Sequence, residues 1–359
     1  MTIIATADVH LGMKFSSYPE RQTALTEERF RALERVVAAG NERRADALVV
    51  AGDLFHRVGV AHSVIHRAAG ILAAFEGAVT LVLPGNHDYL PSEGDELWTR
   101  FREAAGDRTL VLDRAGAFDL DVYDLPARVL AAPCDAVHGA SHRLGWAHDA
   151  PADDRLVVGV AHGSIDGLTL DAEGHYFPMT SRMLGSLPAD LWIVGHTHRS
   201  HVLEQERVVV PGTPEADGFD CPVRGVAALV TTETPAAPAD DREPQRALRD
   251  PARGEAIPFS VDFLPVGRHL FHEARVTLED PRGELADAEL EERVTSVLPA
   301  GEVLARVRVS GMLADEAFRR WNAVRARLLE DDRLVRLDDD DLRRVLSRAD
   351  VDRLYAAGS

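Results

Sequence analysis

Lysine is almost missing from this chain. Lys14 stands alone and the other members of the Lys/Arg set are all arginine, a bias attributed to base composition of the genome. Cysteine is nearly as scarce. Cys134 and Cys221 cannot build a disulfide framework, and neither has the C-x-x-C spacing of a thiolate zinc site, so both are expected to be reduced, buried thiols. No apolar run approaches the ~20 residues that a membrane helix needs. The opening Met-Thr-Ile-Ile-Ala runs straight into a strand without the basic and apolar regions of a signal peptide, so the expected location is the cytoplasm, with no membrane partner. Positive charge is short as well: 40 Lys and Arg face 59 Asp and Glu, a formal net charge of −19. That balance opposes nonspecific attraction of the whole chain to DNA or an anionic membrane. A bound metal would add local positive charge that a residue count omits.

What is present is an ordinary globular composition, 45% hydrophobic and 28% charged over 359 residues, long enough for one large domain and a smaller one. The large part alternates strands and helices. Apolar runs at Thr2–Ala7, Ala47–Ala51, Val79–Leu83, Leu156–Ala161 and Leu191–Val194 read as buried strands. Leu25–Ala39 and Val64–Phe75 carry helical spacing. Shorter strands are expected at 110–112, 129–132 and 208–210, and paired strands at Val226–Val230 and Phe259–Leu264. The fold class is therefore α/β, with an open, mostly parallel core sheet. Residues 1–266 form the large domain, with an exposed loop at about 233–258, and 267–359 form a small β-α-β-α end domain. Within the latter, Asp338–Asp341 reads as a solvated turn and helix start.

The chemistry sits where strands stop. Each of the five main strands ends in polar residues: Asp8-Val9-His10-Leu11-Gly12, Gly52-Asp53-Leu54-Phe55-His56, Gly85-Asn86-His87-Asp88, His162-Gly163-Ser164 and Gly195-His196-Thr197-His198. Any one of these alone also fits a capped turn. Together they place Asp8, His10, Asp53, Asn86, His162, His196 and His198 just past strand ends, where open α/β sheets bind ligands. In D-x-H and H-x-H the one-residue spacing would aim both side chains the same way if the segment is extended. Seven donors exceed the needs of one ion and suit two octahedral ions sharing Asp53. Imidazole, carboxylate and amide without thiolate favour Mn(II) or Fe(II), with zinc also compatible. Two such ions clamp both reacting oxygens of a phosphoester and activate water. His87, beside Asn86 but with its own ring free, is placed to protonate the leaving oxygen. His56 assists at the phosphate or leaving group, and Asp88 is a candidate to orient His87. His138, His142 and His148 follow no strong strand and read as solvated, and His175 and His201 as surface or core histidines.

This ordered set of motifs resembles the calcineurin-like metallophosphoesterases over roughly residues 1–266, and the fuller forms with Leu11-Gly12 and Phe55-His56 resemble the DNA repair exonuclease branch containing the SbcD and Mre nuclease subunits. The resemblance implies a layered α/β sandwich with antiparallel strands extending the core sheet. It implies one Mn(II) on Asp8, His10, Asp53 and His198, and another on Asp53, Asn86, His162 and His196. It further implies DNA as substrate, a small C-terminal cap shaping access to it, a homodimer, and an SbcC-like coiled-coil ATPase partner. Two alternatives stand beside a DNA exo- and endonuclease: a metallophosphoesterase for small nucleotides or other phosphate esters, and a non-catalytic scaffold for a repair ATPase.

Overall fold

In the computed structural model, which describes residues 1–91, 94–150, 154–169, 171–232, 257–346 and 351, the apolar runs become strands buried along their length. β1 (Thr2–Thr6), β2 (Ala47–Ala51), β3 (Val79–Leu83) and β4 (Thr109–Val111) pair in parallel. The crossovers are α1 (Gln22–Glu42), α2 (His62–Ala73) and α3 (Glu96–Ala105). Parallel strands covered on both faces have no side to give to water, which is why they read as unbroken apolar runs. One face of this sheet packs on the helices through Phe30, Leu33, Val36, Ile65, Leu72, Trp98 and Phe101.

The other face meets a second sheet. β5 (Gly116–Asp119), β6 (Ala127–Ala132), β7 (Leu156–His162), β8 (Leu191–Gly195), β9 (His201–Leu203) and β10 (Val208–Val210) form it in the order β5-β6-β7-β8-β10-β9, parallel except at its two edges. Ile3, Ala5, Val49 and Leu81 pack against Val129, Val158, Val160 and Ile193 between the sheets. The outer face of the second sheet is covered by α4 (Ser181–Ser186) and loops, through Leu144, Met179, Leu184 and Trp192. The first sheet is completed by β11 (Val226–Thr232) and β12 (Phe259–Pro265), both antiparallel to their neighbours. The sandwich is thus α/β, mostly parallel and extended by antiparallel strands. Most of the loop expected at 233–258 lies outside the described residues.

The chain divides into two compact units, Met1–Glu215 with Arg224–Gly267, and Ala216–Val223 with Arg268–Ser359. The second contains β13 (Leu270–Asp280), α5 (Asp287–Thr295), β14 (Val303–Ala314), α6 (Asp315–Leu328) and β15 (Leu334–Val345), with the three strands parallel in chain order. Leu278, Leu290, Val294, Val307, Trp321 and Leu337 form its core. The stretch Ala216–Val223 reaches into it, Phe219 lying edge-on to Phe271 with ring centroids 5.3 Å apart. Asp338–Asp341 is not a turn or helix start. It lies inside β15, where a register irregularity against β14 admits the acidic run between buried Leu337 and Leu342. The Trp321 indole N–H donates to the Asp339 carboxylate at 2.6 Å, so part of the run is engaged rather than solvated.

Helix α3 was hidden in the weakly periodic stretch after Glu93. Its N-terminus is capped by Asp95, which accepts from Trp98 N at 3.1 Å, and the fully buried Trp98 ring packs at 5.9 Å from Phe55 and 5.6 Å from Phe101. Its indole N–H also donates to the Asp88 carbonyl at 2.6 Å. Trp98→Ala removes both supports, and urea unfolding should show a loss of about 3–5 kcal/mol.

Candidate metal centre

Asp8, His10, Asp53, Asn86, His162, His196 and His198 come together at the tips of β1, β2, β3, β7 and β8. His162 Nε2 lies 3.3 Å from Asp53 Oδ2, 4.0 Å from Asp8 Oδ1 and 3.1 Å from Asn86 Oδ1. His196 Nδ1 is 3.2 Å from the same Asn86 oxygen. His10 Nε2 is 3.8 Å from Asp53 Oδ2, and His198 Nε2 is 3.9 Å from Asp8 Oδ1. Asp8 and Asp53 are almost wholly excluded from solvent, at 0% and 1% exposure. Desolvation on this scale is costly for paired carboxylates unless positive charge stands between them.

The backbone pays for this convergence with strain. Asp8, His10, Asp53 and His196 adopt left-handed conformations with φ of 55°, 48°, 54° and 93°. The alternation of an extended segment therefore does not explain why Asp8 and His10 face one point; two left-handed turns do. Such conformations cost of order 1–3 kcal/mol each and persist where the surroundings over-determine them. Here Asp8 N donates to Gly52 O at 3.1 Å, His10 N to Asp53 O at 2.9 Å and Leu11 N to Leu54 O at 2.9 Å, lacing the first two motifs together. Close approach is also why glycine stands at two positions. A Cβ on Gly52 would sit 2.0 Å from His162 Nδ1, and one on Gly85 would sit 2.2 Å from Asp53 Oδ1.

Electrostatics follow from burial and proximity. Burial works against the Asp53 charge, but the charge and hydrogen bond of His162, with His10 beyond, hold its carboxyl far below the usual range. Burial raises the Asp8 carboxyl against the opposing pull of His198 and His162. His162 is itself disfavoured as a cation by burial, yet Asp53 and Asp8 push it up to about 9. Burial and the His162 charge push His196 down to about 3. A protonated His162 thus occupies the electrostatic place of a cation.

The donors fit a metal pair. Besides a group of His10 with His56 and His87, Asp8, His10 and His198 form one group and Asp8, Asp53 and His162 another, with donor atoms in each within 4.8 Å of one another. Asp8 belongs to both groups, and Asp53 Oδ2 also faces His10 on one side and His162 on the other. The set is imidazole, carboxylate and amide without thiolate, as borderline and harder divalent ions prefer. His162 Nδ1 is 2.9 Å from the Ala51 carbonyl and donates to it, so once the ring is neutral Nε2 presents its lone pair to the cluster.

Two histidines flank the cluster. The His87 ring is 4.7 Å from that of His10, and His56 stacks on His87 at 5.3 Å and 25°. Asp88 does not orient His87. Its carboxylate accepts from Phe55 N at 2.9 Å and Gly85 N at 2.7 Å, binding the second and third motifs together, and burial with the nearby Asp53 charge pushes it up to about 8. The His87 ring is set instead by its Nδ1, 3.0 Å from the His56 carbonyl oxygen. His56 Nδ1 is buried without a hydrogen-bond partner among the described residues, and burial followed by the His87 charge lowers its pKa.

His138 and His148 are exposed, and His142 Nδ1 accepts from Leu144 N at 3.2 Å; none joins a metal-type group among the described residues. Sequence reasoning missed Tyr176, whose ring lies 5.1 Å from His196 and 5.3 Å from His138. No strand end announces it. Cys134 and Cys221 are buried and form no disulfide among the described residues.

Divalent-type donors gathered at the strand tips of a layered α/β sandwich form a candidate metal centre. The model of the calcineurin-like phosphoesterase family matches residues 1–200, and the chain belongs to that family. It is 28% identical over 234 residues to the uncharacterized metallophosphoesterase YhaO of Bacillus subtilis (strain 168), covering 60% of this chain and 53% of that protein. The chain thus spans about half the length of this relative. Among solved structures it is similar to TT1561 of Thermus thermophilus (16% identity, 74% of this chain and 98% of that one, TM-score 0.41). It is also similar to a dimetal phosphatase from Danio rerio (13%, 64% and 92%, TM-score 0.39) and to YfkN from Bacillus subtilis (12%, 74% and 90%, TM-score 0.41). No helix among the described residues is long and apolar enough to cross a membrane.

Two outcomes follow for metal loading. His162 must lose a proton to coordinate, so binding is fully expressed above its raised pKa of about 9 and weakens as pH falls below it. Calorimetric titration with Mn(II) should show affinity rising by up to about tenfold per unit toward that value, with proton release. Gly52→Ala, whose methyl displaces the His162 ring, should lower metal content measured by elemental analysis by about tenfold or more.

Proposed function

We propose that this chain is a dinuclear-metal-dependent phosphodiesterase acting on DNA as an exo- and endonuclease, in the manner of double-strand-break repair nucleases. The observation that carries the reading is the convergence of donors from five strand ends, with the His87–His56 stack set against them. When bound, two divalent ions, with Mn(II) first and Fe(II) or zinc as alternatives, supply Lewis acidity and an activated water. The chain's own part lies in the flanking pair. With Nδ1 donating to the His56 carbonyl, His87 is held so that its Nε2 serves the reacting group. A proton carried there passes to the departing oxygen as the P–O bond breaks. His56, kept neutral by burial and by His87, steadies the ester by hydrogen bonding.

Local charge supports a polyanionic substrate. A cleft of about 680 Å³ begins at Gly12, two residues past His10, and is lined by Lys14, Arg57 and Arg67. Lys14 and Arg57 are exposed, while Arg67 is held by Glu27 at 2.6 Å. Arg57, next to His56 in the chain and acting on its ring, sets a cation beside the flanking histidines that favours phosphate despite the acidic body. Leu11 and Phe55, on which the likeness to the repair nucleases partly rests, are fully buried and bridge each other, which leaves Gly12, at the cleft, and His56 as the residues of that pattern able to meet substrate. The C-terminal unit as a cap over DNA, a homodimer and a coiled-coil ATPase partner belong to the same proposal.

Labelled single- and double-stranded DNA and a small chromogenic phosphodiester, each with Mn(II), test it. The wild type should cleave both. His87→Ala should retain its metal and lose about 10²–10⁴-fold in kcat. Turnover of the small ester with DNA untouched would transfer the reading to small phosphate esters. Unimpaired partner function in a metal-free Asp53→Ala variant would point to the scaffold.

A further inference from the structure

We propose that Arg29 is a positioning residue that holds the Asp8–Val9–His10 turn in shape from behind, through main-chain carbonyls. This rests on the reading of the strand-tip cluster as a metal centre. Arg29 lies in α1, four residues from Leu25 and four from Leu33, on the apolar stripe of that helix, and it is 1% exposed. Its Nε donates to Val9 O at 2.5 Å and one terminal nitrogen to Asp8 O at 2.9 Å and to Thr213 Oγ1 at 3.4 Å. The other terminal nitrogen donates to Glu215 O at 3.2 Å. Thr213 Oγ1 in turn lies 3.0 Å from Asp8 O and 2.7 Å from Glu215 O. The turn that presents Asp8 and His10 is therefore gripped on two sides, by the Gly52–Leu54 backbone in front and by a planar fork of donors behind.

The sign of the charge separates two roles. A guanidinium next to a site that gathers dications opposes their binding, so an electrostatic function would require the reverse polarity. What arginine offers is five donors in a rigid plane, which lysine cannot reproduce. Two consecutive carbonyls bound by one fork fix the peptide planes of a segment whose Asp8 and His10 are left-handed. The function is geometric.

The experiment compares Arg29→Lys and Arg29→Met with the wild type in Mn(II) calorimetry, Mn(II) electron paramagnetic resonance and amide hydrogen exchange at Val9 and His10. Both variants should bind Mn(II) about tenfold or more weakly, with an altered resonance and faster exchange, the lysine form faring no better than the methionine form. Unchanged affinity in either folded variant, or tighter binding in Arg29→Met, would overturn the proposal. Should both variants fail to fold by circular dichroism, Thr213→Val, which removes the hydroxyl linking Arg29 to the turn and to Glu215 O, decides: about threefold or more weaker binding is expected, and unchanged affinity overturns the proposal. A wild type that binds no divalent ion would instead count against the metal-centre reading itself.

Discussion

Two carboxylates stripped of water around one imidazole set the terms for everything else in the larger unit. Asp8 and Asp53 are buried side by side with His162 between them, and no arrangement of apolar neighbours can compensate that charge. Keeping both ionised calls for positive charge, from the imidazolium or from metal, and the surrounding fold keeps the donors where such charge is shared. The layered architecture serves this end. Strands of two facing sheets end at one edge, so donors far apart in sequence reach the same point without any long loop having to be ordered.

Rigidity around the cluster comes from bonds between motifs more than from bonds within them. Asp88 ties the third motif to the second through Phe55 N, the second ties to the first through Gly52, Asp53 and Leu54 carbonyls, and Arg29 closes the first against α1 and the segment at Glu215. Left-handed turns at Asp8, His10 and Asp53 are tolerable because each is held by partners on another element. Asp88, buried and pushed toward its neutral form, also shows that a carboxylate next to a histidine in the chain need not serve that histidine.

Much of this was legible from the residues. Buried parallel strands write themselves as apolar runs, and polar residues clustered after each run pointed to the seven donors that the structure gathers. The limits have physical causes. Periodicity describes extended or helical backbone, so it gave a false reason for the convergence of Asp8 and His10, whose turns are left-handed. Adjacency in sequence suggested that Asp88 serves His87, whereas the carboxylate turns inward to main-chain N–H groups. Arg29 sits on a helix full of arginine and glutamate, and only its place on the Leu25–Leu33 stripe distinguished it from a solvated position. Asp338–Asp341 looked like a turn because strand propensity cannot foresee an indole donor such as Trp321.

The excursion of Ala216–Val223 bears on how the chain can be divided. Because that stretch belongs with the C-terminal unit while its flanks belong to the larger one, the polypeptide passes between the units more than once. Severing it after Gly267 would leave Phe219 without the Phe271 ring it packs against, so a shortened fragment would carry an unpartnered aromatic ring. An autonomous larger unit requires that segment to be redesigned together with the cut.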